Sequence, residues 1–266
     1  MSDTPPPHIE TEEFWRDFLT NGAGMERKAR RLLSHIPSDP RCRMCAAPFS
    51  GFGAPVMRMI GKGRSDKSPT MCMTCFTFLA AHHGGAEIEV TLLFADIRGS
   101  TSIAEGISAG AFSRILDRFY DTAAKVVIAN EGSIDKFVGD ELVALFFPML
   151  AGDRHAARAI DAARALLEAT GHGDAAGPWI PLGAGVHSGT AWVGAVGEGS
   201  HTQITAVGDS VNTTARLASA AAAGEILVTV AAAEAAHLAE VDVERRRLAL
   251  KGKSEPTEVL VLYTEA

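Results

Sequence analysis

Two carboxylates in this chain stand where a hard cation would be held. Val90-Thr-Leu-Leu-Phe-Ala-Asp-Ile-Arg-Gly-Ser-Thr101 reads as a buried strand that ends in Asp96 and runs into a Gly-Ser-Thr turn. A second apolar stretch carries Asp140 in Lys136-Phe-Val-Gly-Asp-Glu141, at the tip of an expected hairpin. Carboxylate oxygens at a strand end and an adjacent hairpin tip suit Mg2+ or Mn2+, and the backbone carbonyl of Ile97 offers one more ligand. The turn through Arg98, Gly99, Ser100 and Thr101 leads into a helix whose first amides suit phosphate oxygens. Asn212 and Arg216 lie four residues apart and share one face of an expected helix.

A separate chemistry sits nearer the N-terminus. Cys42-Arg-Met-Cys45 and Cys72-Met-Thr-Cys75 contain all four cysteines of the chain. Each CxxC can bend two thiolates onto one centre, and two such knuckles complete an S4 site for zinc or an iron–sulfur cluster. The intervening segment, with Phe49, Phe52, Met57 and Met59, would wrap either one. His82 and His83 compete as ligands, but adjacent histidines before Gly-Gly read as solvent-facing.

The elements that must position these groups follow from periodicity. Ser108 is an expected N-cap, and Phe112, Ile115, Leu116, Phe119, Ala123 and Val126 form the apolar stripe of the helix behind it. Residues 133–138 and 142–147 read as a hairpin, 153–169 as a helix, and Leu182–Ser188 with Ala191–Val196 as a hairpin around Gly189-Thr190. A helix over 209–221, a strand over 225–229 and two strands around Lys251-Gly-Lys253 complete the chain. The order βαββαβ with additions predicts an α+β, ferredoxin-like domain over 87–266. Ahead of it stand a disordered tail (1–9), a helical and four-cysteine module (10–80) and a linker (81–86) containing His82-His-Gly-Gly. Phe14, Trp15, Phe18 and Leu19 give that module its apolar helix stripe.

Composition narrows the partners. The net charge of −7 argues against a general nucleic-acid binder. Residues 1–86 hold 11 basic and 8 acidic side chains, net +3, which leaves −10 for the remainder. No stretch reaches the ~18–20 apolar residues that span a bilayer, and the first residues show no leader pattern. A cytoplasmic protein is expected, where paired cysteines read as metal ligands before disulfides.

The Asp96 and Asp140 segments, with Val207-Gly-Asp-Ser-Val-Asn-Thr-Thr-Ala-Arg216, resemble the catalytic domain of the class III nucleotidyl cyclases over residues 87 to about 264. That resemblance implies cyclisation of ATP or GTP, in which the ribose 3′-oxygen attacks the α-phosphorus and pyrophosphate leaves. It implies two Mg2+ or Mn2+ ions per site on Asp96, Asp140 and the Ile97 carbonyl, with Asn212 orienting the ribose and Arg216 stabilising the α-phosphate. Lys136 matches the family's adenine-selecting lysine. Its partner, an Asp or in one subset a Thr, is here Thr205, so the pattern implies adenine and therefore ATP. The Thr subset includes bicarbonate- or CO2-responsive members. Lys251, then Lys253, matches a loop that contacts the terminal phosphates. The family's sites form at a head-to-tail dimer interface, and one chain holding both sets of residues implies a homodimer. A guanylate cyclase and a degenerate, non-catalytic cyclase module are the alternatives. Val138-Gly-Asp-Glu-Leu142 is a near miss to the diguanylate cyclase hairpin, but Asn212, Arg216 and the Asp96 turn favour class III. An iron–sulfur cluster at the cysteines would make oxidation a regulator acting through residues 79–86.

Overall fold

The computed structural model describes residues 8–22, 25–38, 40–42, 44–66, 70–197, 203–238, 242–253 and 255–264. In chain order the elements begin with β1 (His8–Ile9), α1 (Glu12–Asn21), α2 (Met25–Ser34), α3 (Ala54–Met59), α4 (Met73–Ala81) and β2 (His82–Ile97). Then come α5 (Ser100–Gly106), α6 (Ala109–Ala129), β3 (Ser133–Val138), β4 (Glu141–Phe146), α7 (Pro148–Ala151) and α8 (His155–Ala169). The chain ends with β5 (Leu182–Val196), β6 (Gln203–Val207), α9 (Asp209–Ala220), β7 (Ile226–Thr229), α10 (Val230–Ala235), β8 (Arg245–Leu248) and β9 (Thr257–Leu262). Two compact units result: 1–88, 148–150 and 191–207 form the first, and 89–147, 151–190 and 208–266 the second. Among the described residues no helix is long and apolar enough to cross a membrane.

In the second unit the strands follow the order β3-β4-β2-β5-β7-β9-β8. The first four reproduce the ferredoxin-like arrangement: β2 pairs antiparallel with β4, and β4 with β3. β7 then runs parallel to β5, and β9 and β8 close that side antiparallel. Period-2 alternation sends Leu93, Ala95 and Ile97 into a core shared with Phe119, Ala123 and Val127 of α6 and with Ile160, Ala163 and Leu167 of α8. Phe119 and Phe146 are fully buried, each worth roughly 2–3 kcal/mol in area removed from water. On the other face Leu217 and Ala221 pack on Leu227, Val259 and Val261. Ser108 caps α6 as its sequence predicts, accepting from Ala111 N–H at 3.3 Å.

His187 on β5 ties this core to pH. Its Nδ1 lies 3.0 Å from Thr229 Oγ1. Burial pushes its imidazole down to about 4, the Lys253 charge adds to this, and the Asp209 charge opposes it. As pH falls, the unfolded chain takes up this proton first, near the ordinary value of about 6.5. Stability is therefore full above that value and declines toward pH 4. The expected decline is about 2 kcal/mol between pH 7 and 5. Urea unfolding of wild type and His187→Gln at both pH values checks it, the variant losing distinctly less.

In the first unit, Thr11 caps α1 by accepting from Phe14 N–H at 3.2 Å. The predicted aromatic stripe packs inward: Trp15 and Leu19 are fully buried, and Phe18 meets Phe78 of α4 with centroids 4.9 Å apart. On α2, Arg30 is buried and donates to the Met44 carbonyl.

Three segments differ from their expected structure. Of the tail expected over 1–9, His8–Ile9 pair parallel with His82 and His83, and 1–7 lie outside the described residues. Residues 82–86, expected as linker, open β2. Their glycines permit close approach: a Cβ on Gly85 would stand 2.5 Å from the Val193 carbonyl oxygen, and one on Gly194 2.3 Å from that of Gly84. Gly189-Thr190 is no turn either. β5 is continuous from Leu182 to Val196, and its far half pairs with β6. Gly189 is small because a Cβ there would meet Ser210 Oγ at 2.9 Å, while that hydroxyl donates to the Thr190 carbonyl at 2.7 Å.

Candidate active site and candidate metal centre

Asp96 stands at the end of β2, on the face opposite Leu93, Ala95 and Ile97. The antiparallel register sets Glu141 directly across from it. Asp140, at the β3–β4 turn, accepts the Ile97 N–H on its carbonyl at 3.3 Å. That turn is held from behind. Gly139 adopts φ 60°, and the Tyr120 hydroxyl of α6 donates to its carbonyl while the ring stacks on Phe137 at 4.2 Å.

Three carboxyl groups thus meet at one strand end. Burial pushes Asp96 up to about 6; Arg98 opposes this and Asp140 adds to it. Burial likewise pushes Glu141 up to about 7, with Asp96 and Asp140 contributing their negative charge. Crowded, half-buried carboxylates are the arrangement that a divalent cation relieves, and the donors are the hard oxygens that Mg2+ or Mn2+ prefers. The donor set fits such an ion.

The positive charge facing Asp96 belongs to Arg98, which ion-pairs with its Oδ2. The same guanidinium donates to the carbonyls of Ser219 at 3.0 Å and Ala221 at 3.3 Å, at the C-terminal end of α9. Gly99 follows at φ 67°, with no atom within 4 Å of where a Cβ would stand, and opens α5 at Ser100 and Thr101.

A second cluster forms along α9. Asn212 is exposed and Arg216 half-buried. Gly252, at φ 79°, turns the C-terminal loop over Arg216, whose Nη2 would lie 3.3 Å from a Cβ at that position. Lys251 is exposed beside it. Lys253 is committed to an ion pair with Asp209, whose carboxyl is held below its ordinary value by that hydrogen bond. Lys136 follows a bulge at Asp135, where the register passes from Ile134–Ala144 to Lys136–Val143. Its ammonium lies 3.4 Å from the Asp135 carboxylate. Thr205 is buried on β6 opposite Gly194, within the first unit.

The geometry therefore assembles Asp96, Ile97, Asp140 and the 98–101 turn in one place, and Arg216 with the 251–253 turn in another. Asn212 is not brought to Asp96. Arg98 fastens the Asp96 turn to the C-terminal end of α9, and Asn212 lies seven residues before Ser219 on that helix, about 10 Å of axial rise. Sequence reasoning gave no role to Glu141, Arg98 or Tyr120. Adjacency to Asp140 and Asp96 was the available signal for the first two, and Tyr120 had none.

In the first unit Cys42, Cys45, Cys72 and Cys75 converge, all buried, with every Sγ within 4.8 Å of the others. His82 is not among them: its Nδ1 lies 2.8 Å from the Phe78 carbonyl oxygen, and its ring stacks on Phe78 at 4.4 Å.

A family model described as the adenylate and guanylate cyclase catalytic domain matches residues 85–263. Adenylate cyclase 1 of Rhizobium meliloti (strain 1021) is 38% identical over 146 residues, covering 52% of this chain and 22% of that protein. An adenylate cyclase of Anabaena cylindrica is 33% identical over 137 residues, covering 48% and 26%. The chain therefore spans about a quarter of the length of these relatives. Among solved structures, the guanylyl cyclase Cya2 superposes with a TM-score of 0.60 at 27% identity, over 67% of this chain and 93% of its own. The adenylyl cyclase CyaB from P. aeruginosa gives 0.58 at 28%, over 68% and 97%. The family match spans well over half of the chain and takes in both carboxylates, the α9 residues and the Lys251 turn, so this chain belongs to the adenylate and guanylate cyclase catalytic domain family.

Proposed function

We propose that the chain is a cytoplasmic adenylate cyclase that forms 3′,5′-cyclic AMP and pyrophosphate from ATP at the interface of a head-to-tail homodimer. The observation that carries this reading is the meeting of Asp96 and Asp140 at the strand end, with Glu141 beside them and Arg98 as counter-ion. Asp96, Asp140 and the Ile97 carbonyl would hold two divalent cations, which supply charge neutralisation of the phosphates and a lowered pKa for the ribose hydroxyl. Arg216 places a fixed positive charge where the α-phosphate becomes more negative, and Asn212 orients the ribose. Lys251 meets the terminal phosphates. Lys136 donates to the adenine ring nitrogen and the Thr205 hydroxyl accepts from its amino group. The names of the Rhizobium and Anabaena relatives support adenine, while Cya2 makes guanine the second reading. The separation of Asn212 from Asp96 along α9 supports assembly of each site from two chains. The first unit, a distinct compact body carrying the cysteine cluster, is the regulatory part of this reading.

Product formation by the purified protein, with ATP and GTP in parallel and Mn2+ or Mg2+ supplied, tests it. Cyclic AMP is expected. Cyclic GMP alone would overturn the roles of Lys136 and Thr205, and no product from either would overturn the catalytic reading. Mixing Asp96→Ala with Asn212→Ala chains is expected to restore part of the activity, because one of the two sites in a mixed dimer is intact. Variants that exchange subunits and stay inactive would remove the shared-site dimer.

A further inference from the structure

The cysteine cluster admits a sharper assignment than a choice between zinc and an iron–sulfur cluster. Cys42 opens a tight loop: its N–H donates to the Ala47 carbonyl, the Ala46 N–H donates back to the Cys42 carbonyl, each at 2.9 Å, and Ala46 adopts φ 58°. Cys72 caps α4, with its Sγ accepting from the Cys75 N–H at 3.4 Å. The Cys72 N–H in turn donates to Cys42 Sγ at 3.3 Å. Amide N–H groups aimed at sulfur favour thiolates, as the outer partners of bound ligands do.

Spacing separates one ion from a cluster. Four sulfurs about 2.3 Å from one tetrahedral zinc stand about 3.8 Å apart. Here Cys45 and Cys72 Sγ are 3.6 Å apart, and all four sulfurs fall within 4.8 Å. Cysteines that ligate different irons of a cluster are held further apart, because bridging sulfides and a second metal stand between them. No disulfide takes up the sulfurs, since all four cysteines are free.

A cation, Lys62, stands beside the four sulfurs, where it can balance the negative charge of a filled S4 site. Lys62, Cys45 and Cys75 line one cavity of about 110 Å³, with Arg30, Met44 and Phe78.

We propose that Cys42, Cys45, Cys72 and Cys75 bind a single tetrahedral zinc ion and that no iron–sulfur cluster forms there. A d10 ion in a closed four-thiolate site has no redox chemistry and no open coordination position. Its role is to hold the Cys42 loop against the N-terminus of α4, so oxidants do not act on this unit by changing the metal's charge.

The test uses the full chain, purified anaerobically from cells supplied with both iron and zinc. Zinc, iron and acid-labile sulfide are quantified, and the ion is then exchanged for Co2+. About one zinc per chain, no sulfide and a cobalt spectrum with tetrahedral four-thiolate bands are expected. Two or four irons with matching sulfide would overturn the proposal. One iron without sulfide would overturn the zinc assignment, and a metal-free protein with four freely titrating thiols would overturn the site itself. Cyclase turnover is no part of this readout, so this assignment and the catalytic reading stand or fall separately.

Discussion

Replacing Asp96 with alanine is expected to lower cyclic nucleotide formation by at least about 1000-fold, on the order of 4 kcal/mol of transition-state stabilisation, without unfolding the chain. On the proposed reading activity falls because Asp96, crowded by the Asp140 charge, is a cation ligand that alanine removes. Stability holds because burial already disfavours the Asp96 carboxylate, and because Arg98 keeps its bonds to the Ser219 and Ala221 carbonyls when its ion pair is gone. Turnover at saturating ATP and Mn2+, read beside thermal unfolding, checks both. An active Asp96→Ala protein would remove the metal site. An unfolded one would show that the Arg98 pair is structural first.

Arg216→Ala is expected to reduce kcat by about 100- to 1000-fold while leaving KM for ATP nearly unchanged. The guanidinium lies against the Gly252 turn on a helix whose N-terminal end carries Asn212, so it stands beside the loop before substrate arrives. A charge already in place costs no rearrangement as negative charge grows on the α-phosphate, and its loss is felt in the transition state more than in binding. Steady-state kinetics of Arg216→Ala and Arg216→Lys give the answer. A KM rise with unchanged kcat would make Arg216 a simple binding residue. Partial recovery by lysine would show that charge matters alongside the planar fork.

Much of this site was legible in the sequence because its parts are local. An apolar run ending in Asp96, a Gly-Asp hairpin tip and an N-x-x-x-R helix face each declare position through periods of 2 and 3.6. The convergence of the four cysteines was legible from spacing alone. What stayed hidden was set by distant packing. Gly189 reads as a turn glycine until Ser210 Oγ is seen against it, and Gly84-Gly85 reads as a linker until Val193 and Gly194 press on it. A glycine needed for close approach and one needed for a bend look alike in one dimension. Glu141 had only its adjacency to Asp140 as a signal, and the register with β2 sets it opposite Asp96.

Arg98 joins two parts of the second unit. One guanidinium is shared between the Asp96 carboxylate and the final carbonyls of α9. Any cation that competes for Asp96 weakens one end of that tether and leaves the other attached to the helix bearing Asn212 and Arg216. In the proposed head-to-tail dimer that helix would serve the opposite pocket. If the proposed head-to-tail pair forms, this one side chain would link the filling of one pocket to the helix that serves the other.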